Sequence, residues 1–129
     1  MRVRSALTVL TFTAIAALAG PAFAEGDAAK GEKVFRKCKA CHAVEEGKNK
    51  VGPSLHNIVG RSVGTVEGFK YSKAMQEYGA GGAVWDEATL SAFLEKPKDV
   101  VAKTKMAFVG LKKESDRDDV IAYLKQASE

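Results

Sequence analysis

Apolar residues in this chain fall into short, separated runs. After residue 24 the strongest are Val34-Phe35, Leu90-Ser91-Ala92-Phe93-Leu94 and Val120-Ile121-Ala122-Tyr123-Leu124. Polar or glycine-rich stretches divide them. Asp27 is placed to cap a helix running to about Lys39, with Ala28, Gly31, Val34 and Phe35 on one face. Ser72 is placed to cap a short helix that carries Ala74 and Met75 and ends at Gly79, Gly81 and Gly82. Asp86 opens a third helix with Leu90, Phe93 and Leu94 inward, and Pro97 stops it. Ser115, followed by Asp118, resembles a capping box before a last helix that buries Val120, Ile121 and Leu124. Residues 45–68 and 98–110 carry no sustained period; glycines and Pro53 mark the first stretch as loop. No strand-like alternation of useful length occurs, and no repeat. The expected class is all-α, with few helices and long loops wrapped around something.

The first 24 residues read as targeting rather than structure. Arg2 and Arg4 give a positive start, and residues 6–19 are uncharged and apolar apart from threonines. Gly20-Pro21 breaks that run, and Ala22-Phe23-Ala24 supplies the small residues of a cleavage site. The run falls short of the about 20 residues that span a bilayer. A signal peptide cleaved after Ala24 is expected, leaving residues 25–129 as one domain in the periplasm. Cleavage removes two arginines, so the balance becomes 18 basic against 16 acidic residues, and the whole-chain net charge of +4 falls to +2. So small an excess argues against a nucleic-acid partner. Nothing points to oligomerisation, and a monomer is expected.

A domain of this size has little core to spare, and a large apolar cofactor would supply the missing interior. Cys38-Lys39-Ala40-Cys41-His42 names one. Thiols three residues apart on a helical turn lie on one side, where they reach the two vinyl groups of one haem, and the next residue is carried beneath the ring as an iron ligand. C-x-x-C-H is the attachment signature of c-type haem, and export suits it. A thioredoxin-like redox pair needs a βαβ setting that is absent, and zinc needs about four ligands. With His42 as one axial ligand, the other side of the iron has three candidates: Met75, Met106 and His56. Methionines are more often core fillers than ligands, and Met75 reads that way. Met106 lies in a loop between two helices, bracketed by Pro97 and Gly110, which suits draping over a flat ring.

With these motifs the chain resembles the class I cytochromes c, bacterial cytochrome c2 among them, over about residues 25–127. The resemblance rests on Gly26-Asp27-Ala28-Ala29-Lys30-Gly31, Val34-Phe35, the Cys38–His42 motif, Gly52-Pro53-Ser54-Leu55-His56 and Gly60-Arg61. It continues through Trp85, Leu94, Pro97, Thr104-Lys105-Met106 and Ile121-Ala122-Tyr123-Leu124-Lys125. It implies one haem c held covalently by Cys38 and Cys41, with His42 and Met106 on the iron. It implies that the Pro53 carbonyl orients His42, and that Arg61, Tyr71 and Trp85 contact the haem propionates. Gly31, Val34 and Phe35 would pack on Tyr123 and Leu124. Three departures stand out. Phe93 sits where many members have a tyrosine directed at the methionine sulfur. Ala102-Lys103 replaces a common Pro-Gly, and Glu114 interrupts a usual run of lysines.

The resemblance implies an electron carrier, not an enzyme. It would shuttle single electrons from a cytochrome bc1 complex to an oxidase or a photosynthetic reaction centre. Lys37, Lys39, Lys98, Lys105, Lys112 and Lys113 flank the attachment motif and the methionine loop, and would steer docking to acidic patches on those membrane complexes. The rival readings are a haem peroxidase or gas sensor with a labile Met106, a thiol oxidoreductase, and a cytochrome tethered through residues 1–24.

Overall fold

The computed structural model describes residues 25–129. Five helices follow in order, α1 (Ala28–Phe35), α2 (Lys73–Ala80), α3 (Glu87–Glu95), α4 (Pro97–Val100) and α5 (Glu114–Gln126). Among the described residues there is no strand; the only sheet-like pairing is an isolated antiparallel bridge between Ser62 and Val84. The all-α expectation therefore holds. The proposed signal peptide lies outside the described residues.

The first three helices begin where the caps place them. The Asp27 carboxylate accepts from the N–H groups of Ala29 at 2.9 Å and Lys30 at 3.1 Å. Ser72 accepts from Met75 N–H at 3.2 Å, and Asp86 from Thr89 N–H at 2.7 Å. Each cap satisfies a donor that the first helical turn leaves without a partner.

Three expectations about the elements are corrected. α1 ends at Phe35, not near Lys39, because the chain beyond it loses the regular four-residue ladder: Lys37 N–H donates to Val34, three residues back, and the Phe35 carbonyl is shared by the N–H groups of Cys38 and Lys39. Pro97 does not simply stop α3. It also occupies the first position of the short helix α4, where its missing N–H costs nothing. Ser115 does not cap α5. The N-cap is Lys113, with no side-chain bond, and Ser115 lies inside the helix. Tertiary bonds made by Arg117, on the first turn of α5, fix that helix start instead.

The terminal helices cross tightly. A Cβ on Gly31 of α1 would lie 2.8 Å from the Cβ of Tyr123 on α5, and closer still to the backbone of Asp119. Only a glycine lets the two backbones meet there. The Asp27 N–H donates to the Asp119 carboxylate at 2.7 Å, and the rings of Phe35 and Tyr123 stand 5.2 Å apart. Phe35, Val120, Ile121 and Leu124 are buried in this crossing and continuous with Ile58, Val63, Trp85, Leu90, Phe93, Val101 and Leu111. One core thus underlies all the long loops, and the loops carry the candidate chemistry.

Candidate functional site

The turn after α1 carries the thiols. The Cys38 carbonyl accepts from Cys41 N–H at 3.1 Å and from His42 N–H at 2.9 Å. One oxygen therefore closes the turn that holds both sulfurs and the imidazole. The two cysteines are not joined to each other as a disulfide. Cys38 packs against the core and Cys41 is exposed. Burial pushes the Cys38 thiol up, with Lys37 opposing.

The following loop folds back across the motif. Gly52 N–H donates to Cys41 at 2.8 Å and Leu55 N–H to Ala43 at 2.8 Å. This places the Pro53 carbonyl 2.8 Å from Nδ1 of His42. With the proton on Nδ1 donated to that carbonyl, Nε2 keeps its lone pair. Gly52 lies against the ring: a Cβ there would stand 2.8 Å from Nδ1 and 2.9 Å from Nε2. Burial pushes the His42 pKa down, against the raising effect of the Pro53 carbonyl, and the nearby Lys50 lowers it further. Metal binding needs an imidazole nitrogen with its lone pair available, and Nε2 is the one left uncommitted here. The Lys50 ammonium also donates to the Lys39 carbonyl within the motif.

Residues outside the motif hold this loop. The Asn49 side chain accepts from Ser54 N–H at 2.9 Å and donates to the Glu67 carbonyl at 3.0 Å, tying two loops together. Ser54 is 2% exposed and donates to the Glu45 carbonyl at 2.6 Å. Sequence reasoning placed Gly52 and Ser54 in a segment that carries the family resemblance but gave neither a role at the site, and it singled out nothing at Asn49. His56, one of the three candidates for the second iron ligand, has its Nδ1 3.2 Å from the Val44 carbonyl, a tie between neighbouring loops.

A second group forms around the isolated bridge. Trp85 N–H donates to the Arg61 carbonyl at 2.8 Å, and Gly60 N–H donates to the Trp85 carbonyl at 2.8 Å. Trp85 is buried, 4.9 Å from the ring of Phe93. The Tyr71 hydroxyl accepts from Val66 N–H at 3.0 Å and keeps its own proton to donate. Burial pushes the Tyr71 pKa up, while Arg61 is close enough to lower it. Arg61 enters none of the ion pairs among the described residues.

Met106 is half-buried and packs against the same core as Cys38. Its N–H donates to the Thr104 hydroxyl at 3.2 Å. Met75, on α2, also packs on that core. Among the described residues no three His, Cys, Asp or Glu side chains gather to hold a metal ion directly.

These parts fit a haem. Two thiols share one turn, an imidazole whose Nδ1 is engaged by Pro53 offers Nε2, a thioether lies in the same core, and a cation and a phenol have donors to spare for acidic substituents. The family model for cytochrome c matches residues 28–128. The chain belongs to the cytochrome c family. It is 52% identical over 98 residues to cytochrome c2 of Afifella marina, covering 75% of this chain and 79% of that one. It is 54% identical over 104 residues to cytochrome c2 of Rhodomicrobium vannielii, covering 80% and 81%. Its fold is similar to that of cytochrome cH from Methylobacterium extorquens, with a TM-score of 0.72, 45% identity, and coverage of 78% of this chain and 99% of that one. As a cytochrome c it is an electron carrier rather than an enzyme, and its cofactor is a covalent haem c, with Cys38 and Cys41 supplying the C-x-x-C-H thiols.

Proposed function

We propose that this cytochrome c works in the periplasm. There it carries single electrons from a cytochrome bc1 complex to a terminal oxidase or a photosynthetic reaction centre. The similarity to two cytochromes c2 supports this reading, as does the leader-like composition of residues 1–24, which would be removed after Ala24. The haem supplies a one-electron iron couple, whose potential His/Met ligation in an apolar pocket raises.

The chain's own residues set the conditions for that couple. Cys38 and Cys41 would hold the ring by thioether bonds. His42 would bind iron through Nε2, with the Pro53 carbonyl keeping its imidazole from rotating. Met106 would supply its sulfur as the other iron ligand. Arg61, Tyr71 and Trp85 would receive the propionates. The observation that carries the reading is the His42–Pro53 bond. It leaves one imidazole nitrogen committed and the other free, on the same turn as both thiols.

Lys37, Lys39, Lys98, Lys105, Lys112 and Lys113 are all exposed. They steer the protein toward acidic surfaces, where contact is brief. A redox-poised visible spectrum of the purified protein tests the site. Six-coordinate, low-spin haem in both states with a methionine signature is expected. Five-coordinate or bis-histidine haem would overturn the ligand assignment. Stopped-flow oxidation by a purified oxidase tests the docking. The rate should fall as ionic strength rises, because exposed charges are screened beyond about 10 Å at 0.1 M salt. A rate indifferent to salt removes the steering role.

A further inference from the structure

Met106 sits in a segment with few ties of its own. Among the described residues, the hydrogen bonds made by residues 102–109 stay local: Thr104 N–H to Val101 at 2.9 Å, Met106 N–H to the Thr104 hydroxyl at 3.2 Å, and Phe108 N–H to Met106 at 3.0 Å. Apart from the packing of Met106 and Phe108 on the core, the position of the segment is set by its two ends.

The leading end is simple. Val101, 4% exposed, donates its N–H to Pro97 at 2.9 Å. The trailing end is built more heavily. Leu111 is 3% exposed, and its N–H donates to the Leu94 carbonyl of α3 at 2.7 Å. Lys112 reaches the Glu95 carbonyl at 3.4 Å. The Leu111 and Lys112 carbonyls are then gripped by one side chain. Nη1 of Arg117 donates to Leu111 at 2.9 Å and to Lys112 at 3.0 Å, while its Nε donates to the Ser91 hydroxyl of α3 at 3.0 Å.

Arg117 is 8% exposed and is in none of the ion pairs found among the described residues. A guanidinium is costly to bury, and a carboxylate is its usual compensation. Here two backbone carbonyls and a hydroxyl take that place. The rigid planar fork suits the arrangement, since it joins α3, α5 and the end of the methionine segment at fixed angles. Surface solvation does not account for a cation placed this way, and core filling would be served by an apolar residue.

We propose that Arg117 is a positioning residue for Met106: by clamping residues 111–112 between α3 and α5, it sets the tension that keeps the methionine sulfur on the iron. The proposal rests on the reading of Met106 as the axial ligand. Arg117 touches neither the haem nor the sulfur. It acts by restricting how far the trailing end of the segment can move, which raises the effective concentration of the sulfur at its target.

The test compares haem-loaded wild type, Arg117→Met, Arg117→Lys and Ser91→Ala. Gly31→Ala serves as a control that loosens the fold away from this segment. Two quantities are read at matched global stability, set with small additions of urea. One is the rate of tryptic cleavage after Lys103 and Lys105, followed by mass spectrometry. The other is the pH at which the ferric protein loses its methionine-ligation signature in absorbance and NMR.

Arg117→Met is expected to speed cleavage about tenfold and to lower that pH by about 1 unit, a tenfold shift in the release equilibrium. Arg117→Lys, with one compact ammonium, should recover part of both effects, and Ser91→Ala should show a smaller shift in the same direction. If Arg117→Met changes neither quantity more than Gly31→Ala does, the proposal is overturned. If Arg117→Met yields no folded haem protein, Ser91→Ala decides: cleavage and release pH unchanged from wild type overturn the proposal. If the wild type has no methionine signature, the ligand assignment falls instead, and the cleavage rates still decide whether Arg117 anchors the segment.

Discussion

The carbonyl oxygen of Pro53 stands 2.8 Å from Nδ1 of His42, and Gly52 lies directly against the same imidazole. The loop therefore fixes both the tautomer and the tilt of the ring. A Cβ on Gly52 would come within 2.8 Å of Nδ1, closer than packed atoms allow. Gly52→Ala should displace either the ring or the Pro53 carbonyl, at a cost of about 1–3 kcal/mol, typical of overpacking. Denaturant unfolding of the haem protein measures the cost, and the hyperfine-shifted histidine NMR resonances report the tilt. Unchanged values in both would show that the loop yields without strain.

Met106 carries a second expectation. Met106→Ala should leave the haem attached but open one side of the iron. The ferrous protein should then bind carbon monoxide, and the reduction potential should fall by a few tenths of the roughly 0.8 V that axial ligation spans. Potentiometry and carbon monoxide difference spectra check this. A six-coordinate, unreactive variant would transfer the ligand role to another residue, Met75 being the other methionine that packs on that core.

At the helix crossing, Gly31→Val should cost more than Gly31→Ala. Even the first atom of a side chain meets the Tyr123 Cβ at 2.8 Å, with the Asp119 backbone nearer still. The expected loss is about 1–3 kcal/mol for alanine and more for the branched residue. Thermal unfolding measures it. The visible spectrum of the folded fraction should be unchanged, because the crossing holds the fold and not the haem ligands.

Acid sensitivity should trace to the helix caps. Backbone N–H groups hold the carboxylates of Asp27 and Asp86 below their ordinary pKa, chiefly the N–H of Lys30 and of Thr89. A depressed carboxylate contributes stability that is full above its unfolded value, about 3.9, and lost as pH falls through the lower folded value. Asparagine caps a helix about as well but does not titrate. The double variant Asp27→Asn, Asp86→Asn should therefore match wild type near neutral pH and lose less of its thermal midpoint below about pH 4. Parallel acid limbs for the two proteins would refute this assignment.

Much of this protein is written locally. The C-x-x-C-H turn needs only residues 38–42, and its chemistry follows from their types and spacing. Asp27, Ser72 and Asp86 begin helices because a side-chain oxygen satisfies an N–H two or three residues away, a bond that neighbours in sequence make by themselves. The same locality explains the failures. Ser115 with Asp118 has the form of a cap, yet α5 starts earlier because Arg117 bonds outward to Leu111, Lys112 and Ser91. α1 stops at Phe35, and the bond pattern beyond it serves the turn of the attachment motif.

Sequence alone therefore determined the helical class, most of the caps, the haem-attaching thiols and the family. Tertiary structure alone decided which loops brace the site. Asn49 links Ser54 to Glu67, Gly52 meets His42, and Arg117 closes the methionine segment, each through partners that the spacing does not reveal. The physical reason is the range of the interactions. Caps and turns are short bonds along one stretch of chain, whereas a buried donor takes whichever acceptor the packed core leaves within about 3 Å.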